Sequence, residues 1–474
     1  MKGIYTDRLT HLLVCFVCRS SSQPFRPVSA RCQVGLARRD VTPPVGIYNR
    51  NWGAAEGDVS TGVHMPLYTT ALALGPSSDE DAVATAAGPK GIRTQLNQQH
   101  SEVLLLVTVD LGWLLKDETE QFIGVICAAS GLPASSVLLQ LSHTHAGPSM
   151  TRPFVDPDCP GGTLAMAWWR DLKEAAAAAA HEAMEAMQPV WLSSAVGHCD
   201  LAQKRDLYDL DAQAFITAYN PWTHGEADDT LIATRIQTDD GKCLGTICNY
   251  GCHPTSMGHP TSLISPDWPG ATRVALEEEY GGICVFILGA CGDTMPMQGH
   301  QGDPAVTERD GRRVGLAASA ALGGLPTTGG VQLEYSGPII SGAVIGQWLP
   351  HPFSQAAVAA ASAFRAAELE IPVPLRPMET AAAAQATLKA AEARLEAAKA
   401  AVAAKLLPAT EVVSSDDGDA GVAIGVEAKV EIDLDGVVLR ETALAEQARR
   451  NFRKISDWQV SKTVVILSFD SFVA

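Results

Sequence analysis

Between residues 33 and 350, short apolar runs rich in β-branched residues alternate with longer stretches of helical period. Interleaving of this kind is the pattern of an α/β fold. It predicts strands over Val103–Val109, Val137–Leu141, Leu231–Ile236, Leu244–Asn249 and Cys284–Leu288. Helices are predicted over Lys116–Ser130, Leu164–Met187 and Ala271–Tyr280. The expectation is layered sheets flanked by helices. Several strands run straight into polar, glycine-rich loops, and α/β sheets place their ligand sites at such strand ends.

The pattern changes after residue 350. From Ser354 to Leu407 the chain is dominated by Ala, Glu, Lys, Arg and Leu, and Leu388, Leu395 and Val402 fall at helical spacing within Ala381–Leu407. One or two amphipathic helices are expected there. Ser414–Gly421 reads as an acidic loop and Glu441–Ile455 as a further helix. Within Lys462–Phe472, Thr463–Leu467 reads as a buried strand. The sequence stops at Ala474, directly after that strand, so this last domain is expected to be incomplete. At the other end, Lys2 and Arg8 precede the short apolar run Leu12–Cys18, followed by Ser20–Ser22, Arg26 and Arg31. Residues 1–31 therefore read as a signal or transit segment outside the fold, or as a misplaced start. The first two readings make the protein secreted or organellar. The organisation expected is a targeting segment (1–31), an α/β domain (33–350) and a helical insert with a last strand (355–474).

Composition narrows the function. Of 474 residues, 46% are hydrophobic and 19% charged, which excludes a mostly disordered chain. Thirty-five basic against 53 acidic residues give a formal charge of −18, which repels nucleic acid and anionic lipid. No apolar run reaches the roughly 18 residues of a membrane-spanning helix. Eleven cysteines include one CxxC, Cys15 to Cys18, with no second pair downstream, so a structural zinc knuckle is not indicated. Cys248, Cys252 and Cys291 read as small buried apolar residues.

Three loops carry the candidate chemistry. Ser142-His143-Thr144-His145-Ala146-Gly147-Pro148 follows the strand Val137–Leu141. Residues two apart on a strand face the same way, so the two imidazoles suit two metal ligands, or one ligand and a general base. Zinc β-lactamase-type and amidohydrolase-type sites also begin with such a pair. The second loop, Asn249–Met257, holds His253 between small residues and Pro254, as a fixed ligand on a tight turn or as a structural histidine. The third, Gly289–Pro296, has glycines that let backbone approach a ligand and expose amides, as an oxyanion needs. Its Asp293 can orient an imidazole, or simply satisfy the amides of a turn.

Taken in order, these loops resemble the N-terminal catalytic domain of the neutral/alkaline, non-lysosomal ceramidase family. Val34–Pro43 looks like that family's first-strand motif, and Gly62-Val63-His64 like its Gly-Ile-His. Ser142–Pro148 is similar to Thr-His-Thr-His-Ser-Gly-Pro, His253–Met257 to His-Ser-Thr-Ser-Met, and Ile264–Asp267 to Ile-Ser-Gly-Asp. The resemblance covers residues 33–300. It implies a zinc-dependent amidase acting on a small amide or lipid, with His143 and His253 as zinc ligands and His145 shuttling protons beside the metal. It also implies an arginine in the site, matched here to Arg205 ahead of Asn220-Pro221. Zinc would supply a water of pKa about 7 and polarise the carbonyl, and an imidazole would protonate the departing amine.

Two departures modify that expectation. Met295 stands where the family's Gly-Asp-Val-Ser-Pro-Asn carries a serine, and a thioether neither donates a proton nor attacks a carbonyl. Thr294 would face the other way on an extended segment. The family's glutamate and tyrosine zinc ligands lie beyond a strand like Val464–Phe469, where this sequence stops. Two histidines fall short of the three protein ligands of a catalytic zinc site, and His64 and Asp267 are the nearest candidates to make up the set. Ser256, Gly292 and Thr294, inside the matched motifs, complete the candidate site residues alongside His145, Asp293 and Arg205. The reading is a metal-dependent hydrolase of linear amides. Its alternatives are a non-catalytic relative that binds lipid or protein, and an amidohydrolase-type enzyme, for which His181 and His198 are poor ligands.

Overall fold

The computed structural model describes residues 11–13, 28–77, 103–210, 214–362, 364–371, 381–406 and 462–469. Its centre is an eight-stranded sheet: β1 (Val28–Asp40), β2 (Tyr68–Gly75), β3 (Leu104–Val109), β4 (Val137–Leu141), β5 (Gln188–His198), β6 (Thr230–Gln237), β7 (Cys243–Tyr250) and β8 (Ile283–Leu288). The spatial order is β8-β7-β6-β5-β1-β2-β3-β4. The two edge pairs, β7–β8 and β3–β4, are parallel and the other neighbours antiparallel.

β1 is the hinge of this sheet. Its residues Val28–Val34 pair with β5, whereas Gln33–Asp40 pair with β2, so the two halves share only a short overlap. The halves fold face to face. Leu72, Leu74, Leu104 and Leu106 from one half pack with Val190, Leu192, Val285 and Ile287 from the other. The alternate positions Ala71, Ala73, Leu105 and Val107 face outward, as a period of two requires, under α1 (Lys116–Ser130) and α2 (Gly162–Glu185). On the far side Leu231, Cys248, Cys284 and Phe286 lie under α3 (Trp268–Tyr280) and α4 (Pro304–Gly323). Four layers result: helices, half-sheet, half-sheet, helices. Gln140 Nε2 on β4 donates to Leu288 O on β8 at 2.7 Å, tying the two parallel edges together where both pairs end.

The predicted strands and the helix Lys116–Ser130 stand where expected to within a residue or so. The Ala-rich region departs from expectation. It holds a short helix α5 (Gln355–Ala361) and then a strand, Phe364–Ile371, that pairs antiparallel with Lys462–Phe469. The chain divides into two compact units, residues 1–371 with 462–474, and residues 372–461. The second is described by α6 (Ala381–Leu406), on the segment predicted helical. The loop and helix expected over Ser414–Gly421 and Glu441–Ile455 lie outside the described residues. β1 begins at Val28, inside the segment assigned to targeting, with Ala30 fully buried. Among the described residues no helix is long and apolar enough to cross a membrane. Their nine cysteines are free thiols, most of them buried.

Candidate metal centre

The loops that leave β3, β4, β7 and β8 at their carboxyl ends meet at one place. His143 and His145 come from the β4 loop and His253 from the β7 loop. Their Nε2 atoms converge: His145 Nε2 lies 3.4 Å from His143 Nε2 and 3.2 Å from His253 Nε2. The three donors lie within 4.8 Å of one another. Metal–nitrogen bonds of 2.0–2.1 Å in a tetrahedral site place neighbouring donors about 3.3 Å apart. Two of the three edges match that spacing. His145, expected beside the metal as a proton shuttle, brings a third nitrogen to the cluster, whereas His64 and Asp267 do not join it among the described residues.

The tautomers are fixed by backbone. His143 Nδ1 donates to Gly112 O at 2.6 Å, and His253 Nδ1 to Cys291 O at 3.1 Å. A carbonyl only accepts, so each proton sits on Nδ1 and each Nε2 presents a lone pair, the arrangement metal-bound histidines use. Gly112 makes the first contact possible, since a Cβ there would stand 2.9 Å from Thr144 O. Burial, the largest cause, pushes all three imidazoles below their ordinary pKa, and the Arg205 guanidinium adds to it. Neutral imidazoles are what a cation requires.

His143 has a left-handed backbone, φ 61°. The pair therefore does not converge by strand alternation, as the spacing predicts. β4 ends at Leu141, and a loop turn swings His143 round to meet His145. Ser265 locks this loop to the next: its N–H donates to Ala146 O at 2.8 Å and its carbonyl accepts from Thr144 Oγ1 at 2.7 Å. Asp267, fully buried, then accepts from the backbone N–H groups of Ser256, Met257 and Trp268. It caps α3 and nails down the His253 turn at once.

The remaining sequence-derived residues fall around this core. His64 Nδ1 is 3.1 Å from Ser265 Oγ and its Nε2 3.1 Å from Glu308, so it braces the loops from outside the cluster. Ser256 Oγ donates to Asp310 at 2.9 Å. Arg205 Nε donates to Gly292 O at 3.1 Å. Asp293 is held by Lys204 and has no bond to an imidazole among those described. Thr294 is buried, with its hydroxyl near Gly251 O and Cys291 O. Met295, where the resemblance implies a serine, is 2% exposed. Gly289 is used for strand contact, its N–H bonded to Tyr250 O at 2.9 Å. His181 and His198 are exposed and lie beside the carboxylates of Glu185 and Asp229, at 3.4 and 2.9 Å.

Three residues escaped the sequence. Trp52 packs on His145 with ring centroids 5.0 Å apart and on His300 at 5.0 Å, while Trp113 approaches His145 at 5.7 Å. All come from loops, where no periodicity marks a side chain as site-facing. The nearest available signal was an unmatched tryptophan in an otherwise polar stretch, Asn49–Gly53.

Fold and site together define a four-layer α/β protein with a three-imidazole centre at its strand ends. No protein-family model matches the chain, and no curated protein sequence does. Solved structures similar to it include a ceramidase complexed with C2, at 18% identity over 65% of this chain and 46% of that one, TM-score 0.48. Neutral ceramidase from Pseudomonas aeruginosa is similar at 18% identity over 65% of this chain and 47% of that one, TM-score 0.46. The chain spans less than half the length of either.

Proposed function

We propose that this protein is a zinc-dependent hydrolase of linear amides, ceramide-like or smaller. The observation that supports the reading is the convergence of His143, His145 and His253 within 4.8 Å of one another, two of the three separations being those of a tetrahedral site. Three imidazoles with an open fourth position are the donor set of catalytic zinc. When bound, zinc supplies a nucleophilic water at neutral pH and polarises a carbonyl. The protein does the rest. Gly112 O and Cys291 O hold two rings in the ligating tautomer. Arg205, whose charge acts on all three ligands, favours an anionic oxygen beside them. His300 is an imidazole outside the donor set whose pKa is lowered first by burial, so it is neutral at rest and is the candidate to take the proton released by the attacking water and pass it to the departing amine. A binder without turnover is the second reading, favoured by the buried Met295.

Elemental analysis of purified protein tests the first reading, with His143→Ala, His145→Ala and His253→Ala alongside wild type. About one zinc per chain in the wild type, lost or much weakened in each variant, is expected. Hydrolysis of fluorogenic N-acyl amides by the zinc-loaded protein should follow. Folded wild type without affinity for zinc would sink the hydrolase, and zinc without turnover would favour the binder.

A further inference from the structure

Away from the imidazole centre the chain forms a two-stranded hairpin, Val331–Ser341 against Ala343–Pro352, with no third strand beside it among the described residues. Its root is fixed. Phe353 N–H donates to Gly330 O at 2.8 Å, and the Phe353 ring packs on Trp191 of β5 with centroids 5.7 Å apart. From that root outward the side chains change in order. Glu334 and His351 carry the last ionisable groups, and from Tyr335 to Pro350 there is no Asp, Glu, Lys, Arg or His. Next come Tyr335 and Trp348, paired across the strands with rings 5.7 Å apart. At the tip two aliphatic pairs follow, Ile339 with Ile345 and Ile340 with Val344. Neighbouring residues of a strand point to opposite faces, so both faces of the tip are aliphatic. Both are also open: Ile340 and Val344 are 84% and 73% exposed, Ile339 and Ile345 38% and 48%.

Exposed apolar surface gathered in one place marks an interaction site. A docked protein would cover one face of such a ribbon, whereas aliphatic side chains on both faces suit a medium that surrounds the tip. The order charged, aromatic, aliphatic along the hairpin is also that of a bilayer surface, where Tyr and Trp collect at headgroup level and aliphatic groups lie beyond them. Charge selects the lipid. An uncharged tip on a chain of formal charge −18 complements a zwitterionic surface and is repelled by an anionic one. We propose that the hairpin Val331–Pro352 docks the protein on zwitterionic phospholipid, with Ile339, Ile340, Val344 and Ile345 at the acyl boundary and Tyr335 and Trp348 at headgroup level. Insertion is shallow, because the unpaired backbone edges of the ribbon need water or headgroups as partners. Such docking is independent of the imidazole centre and of the function proposed above.

The test is co-sedimentation of the full-length protein with phosphatidylcholine vesicles. Wild type is expected to bind. Ile340→Asp and Ile345→Asp, on opposite faces of the tip, should each weaken binding about tenfold or more, with thermal midpoints unchanged because both side chains already meet solvent. Leu316→Asp, at an exposed apolar position on α4, serves as the control and should bind as wild type. Replacing part of the phosphatidylcholine by phosphatidylserine should not strengthen binding. Vesicles of brominated phosphatidylcholine should quench the indole emission of wild type more than that of Trp348→Phe, which keeps a ring against Tyr335 and removes the indole. That comparison decides the matter alone if the Asp variants do not fold. Absence of wild-type binding, undiminished binding by either Asp variant, binding that requires phosphatidylserine, or equal quenching with and without Trp348 would each overturn the proposal. So would a wild type that sediments as a dimer and becomes monomeric in Ile340→Asp, which would assign the hairpin to a second copy of this chain.

Discussion

Among the described residues, the non-glycine residues with left-handed backbone are His143, Asp267 and His300, at φ 61°, 60° and 64°. All three stand at or around the imidazole centre. Such conformations cost about 1–3 kcal/mol each and persist where the surroundings over-determine them. For His143 those surroundings are its N–H bond to Leu111 O at 3.0 Å and the ring bond to Gly112 O. The strain belongs to the backbone, not to the imidazole, so removing the ring by two routes separates them. His143→Gly should be more stable than His143→Ala by about 1 kcal/mol in urea unfolding, with both variants deprived of zinc. The buried imidazoles also set a pH dependence. Their folded pKa values lie below the ordinary 6.5, so the unfolded chain binds more protons at mildly acid pH. Their contribution to stability is present above pH 6.5 and lost as pH falls through the folded values. The thermal midpoint should therefore fall between pH 6.5 and 5, and fall less steeply in His145→Gln. At this scale the sequence was a good guide to which side chains meet and a poor one to how. The His-x-His spacing marks a pair, but only the turn at His143 brings both rings to one point.

At the scale of elements, the site depends on a buried ion pair. Arg273 on α3 donates to both carboxylate oxygens of Asp110, at 2.9 and 2.7 Å, and Asp110 also accepts from Tyr68 N–H at 2.8 Å. Asp110 directly follows β3 and immediately precedes Leu111 and Gly112, whose carbonyls hold His143. Asp110→Asn would leave the Arg273 charge buried without its partner. A loss of about 3–5 kcal/mol is expected in chemical denaturation, with weaker zinc retention because the Gly112 carbonyl loses its anchor. Asp267 works in the opposite electrostatic sense. Burial raises its pKa to about 6, so its contribution is greatest below its ordinary value and is lost as pH rises through about 6. Strands with strongly apolar runs were legible almost to the residue. α4 was not, because Gly311 and Gly315 interrupt its pattern. A Cβ at Gly311 would stand 2.2 Å from Trp268 O, and one at Gly315 2.6 Å from Ala275 Cβ. Those glycines let α4 lie close on α3, a tertiary requirement that reads locally as a helix breaker. The strand Phe364–Ile371 was obscured by alanine-rich neighbours of high helix propensity, and pairing with Lys462–Phe469 overrides it.

At the scale of the molecule, the two half-sheets meet through their shared core and through their parallel edges. His143 and His145 belong to the half that ends in β4, and His253 to the half that contains β7. A cation held by all three is a cross-link between the layers. Chelation should lower the thermal midpoint by several degrees through the lost binding energy, whereas His253→Ala should show almost no response to the chelator. The site-bearing loops were legible because polar, glycine-containing stretches follow the apolar strand runs, but the curling of one sheet at β1 into two layers was not, since each strand's alternation is the same in a flat sheet.

The thiols carry a separate consequence. Cys248, Cys252, Cys284 and Cys291 line the half-sheet that bears His253, and burial pushes each thiol up, to about 11 for Cys284 and about 12 for Cys291. As long as that layer stays closed, its sulfur remains protonated and inert. Each opening exposes several nucleophiles at once, next to the very strand that presents a ligand. Labelling of these thiols by a cysteine-specific reagent is therefore expected to run in step with loss of the imidazole cluster when the half-sheet that bears His253 opens, because one opening exposes both.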